Sequence, residues 1–138
     1  MKKKLLVIPL VLVLLISSTS AATSRAARWA VFDKVITQIE MTDDGIVWGA
    51  SASTYPASSV TYTKVEVKLQ VQTSAGWGTI DTVTDRRASN LAGIGGDPYT
   101  GFSSGESYRI RTEAWAYSGT YGTTLVENIG PFYDYLNT

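Results

Sequence analysis

Lys64-Val65-Glu66-Val67-Lys68-Leu69-Gln70-Val71-Gln72 alternates without a fault. Val65, Val67, Leu69 and Val71 point one way, while Lys64, Glu66, Lys68, Gln70 and Gln72 point the other. Side chains on a strand alternate between faces, so this is an antiparallel strand with one face in a core and one in water. Nothing comparable recurs at the 3.6-residue spacing of a helix. The fold class follows from this stretch and from the segments that repeat its period.

The second long segment is Glu106 to Ser118. Tyr108, Ile110, Thr112, Ala114 and Ala116 share one face, and Arg109, Arg111, Glu113, Trp115 and Tyr117 the other. Weaker strands are expected at Val35–Met41 and Ile46–Ser53, on either side of Thr42-Asp43-Asp44-Gly45, whose Asp-Gly suits a hairpin turn. Another is expected at Trp77–Thr84, after the turn Ser74-Ala75-Gly76. A short one is expected near Tyr99–Phe102, and a last from about Thr123 to Ile129, stopping at Gly130-Pro131. Residues 85–105, rich in Gly and Ser, read as the longest irregular stretch, and residues 23–33 show Trp29 and Phe32 but no period. The expectation is an all-β domain of about seven strands, an immunoglobulin-like antiparallel β-sandwich. Its core should hold Trp48, Val65, Val67, Leu69, Val71, Ile80, Tyr108, Ile110 and Ala114.

The run Phe102-Ser103-Ser104-Gly105-Glu106-Ser107-Tyr108-Arg109-Ile110-Arg111-Thr112-Glu113-Ala114 resembles a fibronectin type III pattern. The likeness implies a tyrosine corner, with Tyr108 buried and its hydroxyl bonded to backbone a few residues upstream. Trp48 and the Val65–Val71 strand also fall where that family has an apolar Trp and an alternating strand. The Gly-rich 85–105 stretch and the aromatic tail depart from it. A second likeness rests on Leu69-Gln70, Gly76-Trp77, Ile80 and Tyr108-Arg109-Ile110. It is to a group of uncharacterised small secreted proteins of Gram-positive bacteria, and it implies a compartment but no activity.

The N-terminus points to the same compartment. Lys2, Lys3 and Lys4 precede an apolar run of 12 residues, Leu5 to Ile16, then small polar residues and a permissible cut after Ala22. That is the layout of a secretory signal peptide, and the run is shorter than the ~20 residues a spanning helix needs. Residues 1–22 are thus expected to be removed, leaving residues 23–138 as one sandwich domain that is secreted, extracellular and without a membrane span. Three of the 12 basic residues lie in the leader against none of the 12 acidic ones, so the remainder carries nine against 12, a net charge of −3. Scattered cations in an acidic chain argue against nucleic acid as a partner.

Little chemistry is legible. The chain has no His and no Cys, which removes Ser-His-Asp and Cys-His catalysis and zinc sites built on those ligands. No metal site, cofactor or catalytic residue is expected, and the reading is not an enzyme. Asp43-Asp44-Gly45 lacks the alternating oxygen ligands of a calcium loop and reads as a turn. Gly93-Ile94-Gly95-Gly96-Asp97 lacks the Gly-Lys-Ser/Thr of a phosphate loop, and Arg86-Arg87 reads as a loop tip. Glu66 and Glu113 alternate with cations and read as a cross-strand charge ladder on a wet face. The alternative function, a small carboxylate-dependent hydrolase, needs two of Glu66, Asp81, Asp85 and Glu113 about 5–9.5 Å apart in a cleft. A secreted effector, inhibitor or toxin, would instead project residues 85–105 from one end.

The aromatics carry the functional expectation. Trp115 and Tyr117 share the polar face of the Tyr108 strand, and Tyr121 follows at the turn. Exposed rings on a sheet stack on sugars or anchor a protein, so these three are the candidate ligand-binding residues of a secreted binding or interaction module. The competing reading is structural: the tail rings Phe132, Tyr133 and Tyr135, or Trp29 and Phe32, cover them. Trp77, between Gly76 and Gly78, reads as the closure of a hairpin.

Overall fold

The computed structural model describes residues 21–24 and 29–138. Its strands are β1 (Ala21–Ser24), β2 (Phe32–Thr42), β3 (Gly45–Thr54), β4 (Tyr62–Thr73), β5 (Gly76–Arg87), β6 (Leu91–Gly95), β7 (Ser107–Ser118) and β8 (Thr124–Asn137). They form two antiparallel four-stranded sheets, ordered β1-β2-β3-β6 and β5-β4-β7-β8. From Phe32 onward this is the expected all-β sandwich of seven strands. Most of the expected leader lies outside the described residues; Ala21 and Ala22, beside the expected cut, belong to β1 and pair with Gln38 and Thr37.

The two hairpins that open each sheet use one device. In Thr42-Asp43-Asp44-Gly45 the Thr42 hydroxyl donates to the Gly45 carbonyl at 3.0 Å and accepts from the Asp44 amide at 3.2 Å. Thr73-Ser74-Ala75-Gly76 repeats it, at 2.9 Å to the Gly76 carbonyl and 3.2 Å from the Ala75 amide. Each closing glycine has a positive φ, +113° and +119°, which a residue with a Cβ adopts only under strain.

Facing residues of the two sheets fill the interior as two apolar clusters. One holds Ile39, Ile46, Trp48, Val65, Val67, Leu69, Tyr108 and Ile110, with Val71 and Ile80 partly buried against it. The other holds Val31, Phe32, Val35, Val60, Ala114, Ala116 and Ile129, with Trp29 and Phe132 against it. Every residue expected in the core is therefore in it or packed on it. Tyr108 is buried, and its hydroxyl accepts from the Ser103 amide and donates to a Glu106 carboxylate oxygen, both at 3.0 Å. Burial raises its phenol above the ordinary value, and the Ser103 amide works the other way.

Three expectations are corrected. Residues 85–105 are not one irregular stretch: β5 continues to Arg87, and β6 pairs with β3 from Leu91↔Ser53 to Gly95↔Gly49. The Trp48 ring lies against the residue that follows β6. A Cβ on Gly96 would collide with that ring, whose Nε1 donates to the Asp97 carbonyl at 3.1 Å. Near Tyr99 there is no strand but a single bridge to Ile46. The last strand does not stop at Gly130-Pro131 but runs on to Asn137. Gly130 and Pro131 together oppose Glu113, between Ala114↔Ile129 and Thr112↔Phe132, a two-against-one bulge. β8 is an edge strand, where proline is tolerated because its missing N–H need not serve a ladder.

Candidate functional site: the outer face of the second sheet

Register decides what meets on the outer face. Across β4 and β7 the outward pairs are Tyr62↔Tyr117, Lys64↔Trp115, Glu66↔Glu113, Lys68↔Arg111 and Gln70↔Arg109. No pair joins opposite charges, so the expected cross-strand ladder does not form. Like charges sit opposite each other twice, an arrangement that costs a sheet stability. Among the described residues the one ion pair on this face runs along β7, from Arg111 Nη1 to Glu113 Oε1 at 2.9 Å. Burial works against the Arg111 charge, but the Tyr133 hydroxyl and Glu113 offset it, leaving the guanidinium above its ordinary value.

Cations lie over the rings instead. At one end, the Lys64 ammonium sits 4.5 Å from the centre of the Trp115 ring. Beside it the Arg86 guanidinium lies 4.3 Å from the Tyr62 ring and 5.1 Å from the Tyr117 ring. Arg86 Nη2 also donates to the carbonyls of Tyr121, at 3.3 Å, and Gly122, at 2.7 Å. Of the three candidate residues, Trp115 and Tyr117 are half-buried neighbours on β7. Tyr121 is tied to them only through its backbone and Arg86, and its side chain is 77% exposed. The covers are cations, not the tail or Trp29 and Phe32; those two pack with one another and with Phe132.

At the other end lies a cluster that sequence reading missed. The Arg109 guanidinium is held between Trp77, at 4.3 Å, and Tyr133, at 4.2 Å. Its Nε donates to Gln70 Oε1 at 2.7 Å, and Gln70 Nε2 donates to Thr79 Oγ1 at 3.1 Å. Tyr135 stacks on Tyr133 at 6.4 Å and meets Trp77 edge-on at 5.9 Å. Trp77 does follow a hairpin turn, but its ring belongs to this face. Stacking a guanidinium on rings fixes its plane and leaves its edge N–H groups free to donate.

The four carboxylates of the hydrolase alternative fall in three places. Glu66 and Glu113 are partners on the open sheet. Asp85 ties the sheets together, accepting from the Gly93 amide at 3.0 Å and pairing with Arg87 at 2.7 Å. Asp81 lines a cleft of about 250 Å³ with Trp48, Leu69, Ile80, Asp97 and Tyr99. Among the described residues no group of three or more acidic side chains is placed to hold a metal ion, and no helix is long and apolar enough to cross a membrane. No family model matches the chain, and neither does any curated protein.

Proposed function

We propose that this chain is an exported, non-enzymatic binding module that uses the outer face of the β5-β4-β7-β8 sheet. One observation carries the reading. Six rings (Tyr62, Trp77, Trp115, Tyr117, Tyr133 and Tyr135) and five cations (Lys64, Lys68, Arg86, Arg109 and Arg111) share one sheet face, and the contacts among them fix the rings in place. Aromatics and arginines are the residue types over-represented where partners are held, and rings fixed beforehand lose little freedom on binding. Export rests on the basic and apolar N-terminus, and a cysteine-free sandwich needs no oxidative folding to work outside a cell. The fibronectin type III assignment draws support from the Tyr108 hydroxyl on Ser103 and from Trp48 in the core.

An immobilised glycan and protein array, probed with the purified protein and with Trp115→Ala, tests the reading. A partner whose affinity falls about tenfold or more in the variant is expected. An unchanged binding profile removes Trp115 from the site, and an array with no partner overturns the module.

A further inference from the structure

We infer that the Arg109 end of this face takes an acidic glycan, a sugar chain bearing carboxylates or phosphates. The inference rests on the binding-module reading and names its ligand class.

Charge is the first argument. The outer face carries five cations, Lys64, Lys68, Arg86, Arg109 and Arg111, against the two acids Glu66 and Glu113, although 12 basic residues balance 12 acidic ones in the whole chain. The signs are also sorted by row. Glu66 faces Glu113, while Lys68 faces Arg111 one row on, and Arg109 follows in the next. A sheet selected only for stability gains from opposite charges across strands and loses from like ones. An anion lying across these rows would relieve the repulsion between Lys68 and Arg111. Lys68 makes no hydrogen bond or ion pair with a described residue. Arg109 uses Nε on Gln70, and neither terminal nitrogen bonds to a described residue, so a donor edge is held in a fixed plane, the geometry that recognises carboxylate or phosphate in two-pronged fashion.

Shape is the second argument. Trp77 on β5 and Tyr133 and Tyr135 on β8 surround Arg109 from the two edge strands. Three strand spacings, roughly 14 Å, separate β5 from β8, yet the Trp77 and Tyr135 rings reach inward and meet at 5.9 Å, so the rings form one continuous aromatic surface around Arg109. Tyr135 is 56% exposed and Tyr133 41%, leaving ring surface for the apolar face of a sugar beside cations for its acid group. A peptide adding to this domain would be held by main-chain bonds at a sheet edge, not across the middle of a sheet. A nucleic acid would meet an overall acidic chain, with pI about 6.2, in place of the broad basic surface its charge density calls for.

Native gels cast with polygalacturonate, a neutral dextran, polyglutamate or an oligothymidylate separate the outcomes. The protein should be retarded by polygalacturonate alone, and less so as salt is raised. Lys68→Gln, which removes no hydrogen bond or ion pair with a described residue, should weaken the apparent affinity about fivefold, the scale of one half-exposed charge contact. Arg109→Gln should abolish retardation, with thermal melts of both variants showing that the fold persists. Equal retardation by dextran, or retardation by polyglutamate or oligothymidylate instead, overturns the acidic-glycan assignment and leaves the binding face standing. Retardation by polygalacturonate that survives both substitutions but is lost in Trp115→Ala overturns the placement at Arg109. Retardation in no gel overturns the assignment, and the module then stands or falls on the array.

Discussion

Asp134 sets an acid where the sandwich offers little water. It is the register partner of Ile110, so its carboxyl enters the space between the sheets. There it accepts from the Thr37 hydroxyl at 3.3 Å and from the Tyr135 amide at 3.1 Å. Burial outweighs those bonds and raises its pKa above the ordinary value. The folded state therefore holds this proton more tightly than the unfolded chain. The associated stability is complete below the usual carboxylate range and is lost as pH rises through the raised value. Asp134→Asn should raise the melting temperature at pH 7, with the gain shrinking towards pH 3; a variant that melts lower at both pH values would contradict the sign. At this scale the sequence spoke unevenly. Tyr108 was legible, because a buried phenol must find a partner and Ser103 lies within its reach. Asp134 was not, because its neighbour Thr37 is far along the chain and only register brings them together.

The elements were legible wherever one face is buried and the other wet. β4 and β7 alternate because each lies in the middle of a sheet over a core. The failures fall where a second demand overrides propensity. β6 forms despite its two glycines because β3 offers it antiparallel partners along its whole length, from Leu91↔Ser53 to Gly95↔Gly49. β8 continues past Gly130-Pro131 because an edge strand can absorb a bulge. Gly130 has φ +108°, and a Cβ there would stand 2.8 Å from the Thr112 carbonyl oxygen. Gly130→Ala should therefore cost more than about 1 kcal/mol in urea unfolding, from a strained backbone and a displaced partner strand. A variant as stable as the parent would mean that the bulge is not built as described. The same logic explains what was seen of the site. Trp115 and Tyr117 are two residues apart on one strand, so a period-two reading finds them. Arg109, Trp77 and Tyr133 come from three strands and meet only when register is known.

For the whole molecule, packing must do what disulfides do in many exported domains, since there is no cysteine. Leu69 is fully buried in the larger apolar cluster. Leu69→Ala should cost about 2–5 kcal/mol in denaturant unfolding, and a midpoint left unchanged would refute the strand's place in the core. The segment from Ala30 to Thr138 is fastened at both of its ends. The Glu127 carboxylate accepts from the backbone amides of Ala30, Val31 and Phe32 at 2.8, 2.9 and 3.3 Å, clasping the entry to β2. At the far end Thr138 exchanges backbone bonds with Gly105 and Glu106. Because β8 carries the chain from Glu127 to Asn137, these two fastenings stand roughly 30 Å apart, at opposite poles. β2 and β8 run the same way beside each other, Phe32 near Glu127 and Thr37 near Asp134. Tension applied between residues 30 and 138 would thus drag one sheet lengthwise over the other, and many contacts would have to yield together instead of unzipping singly.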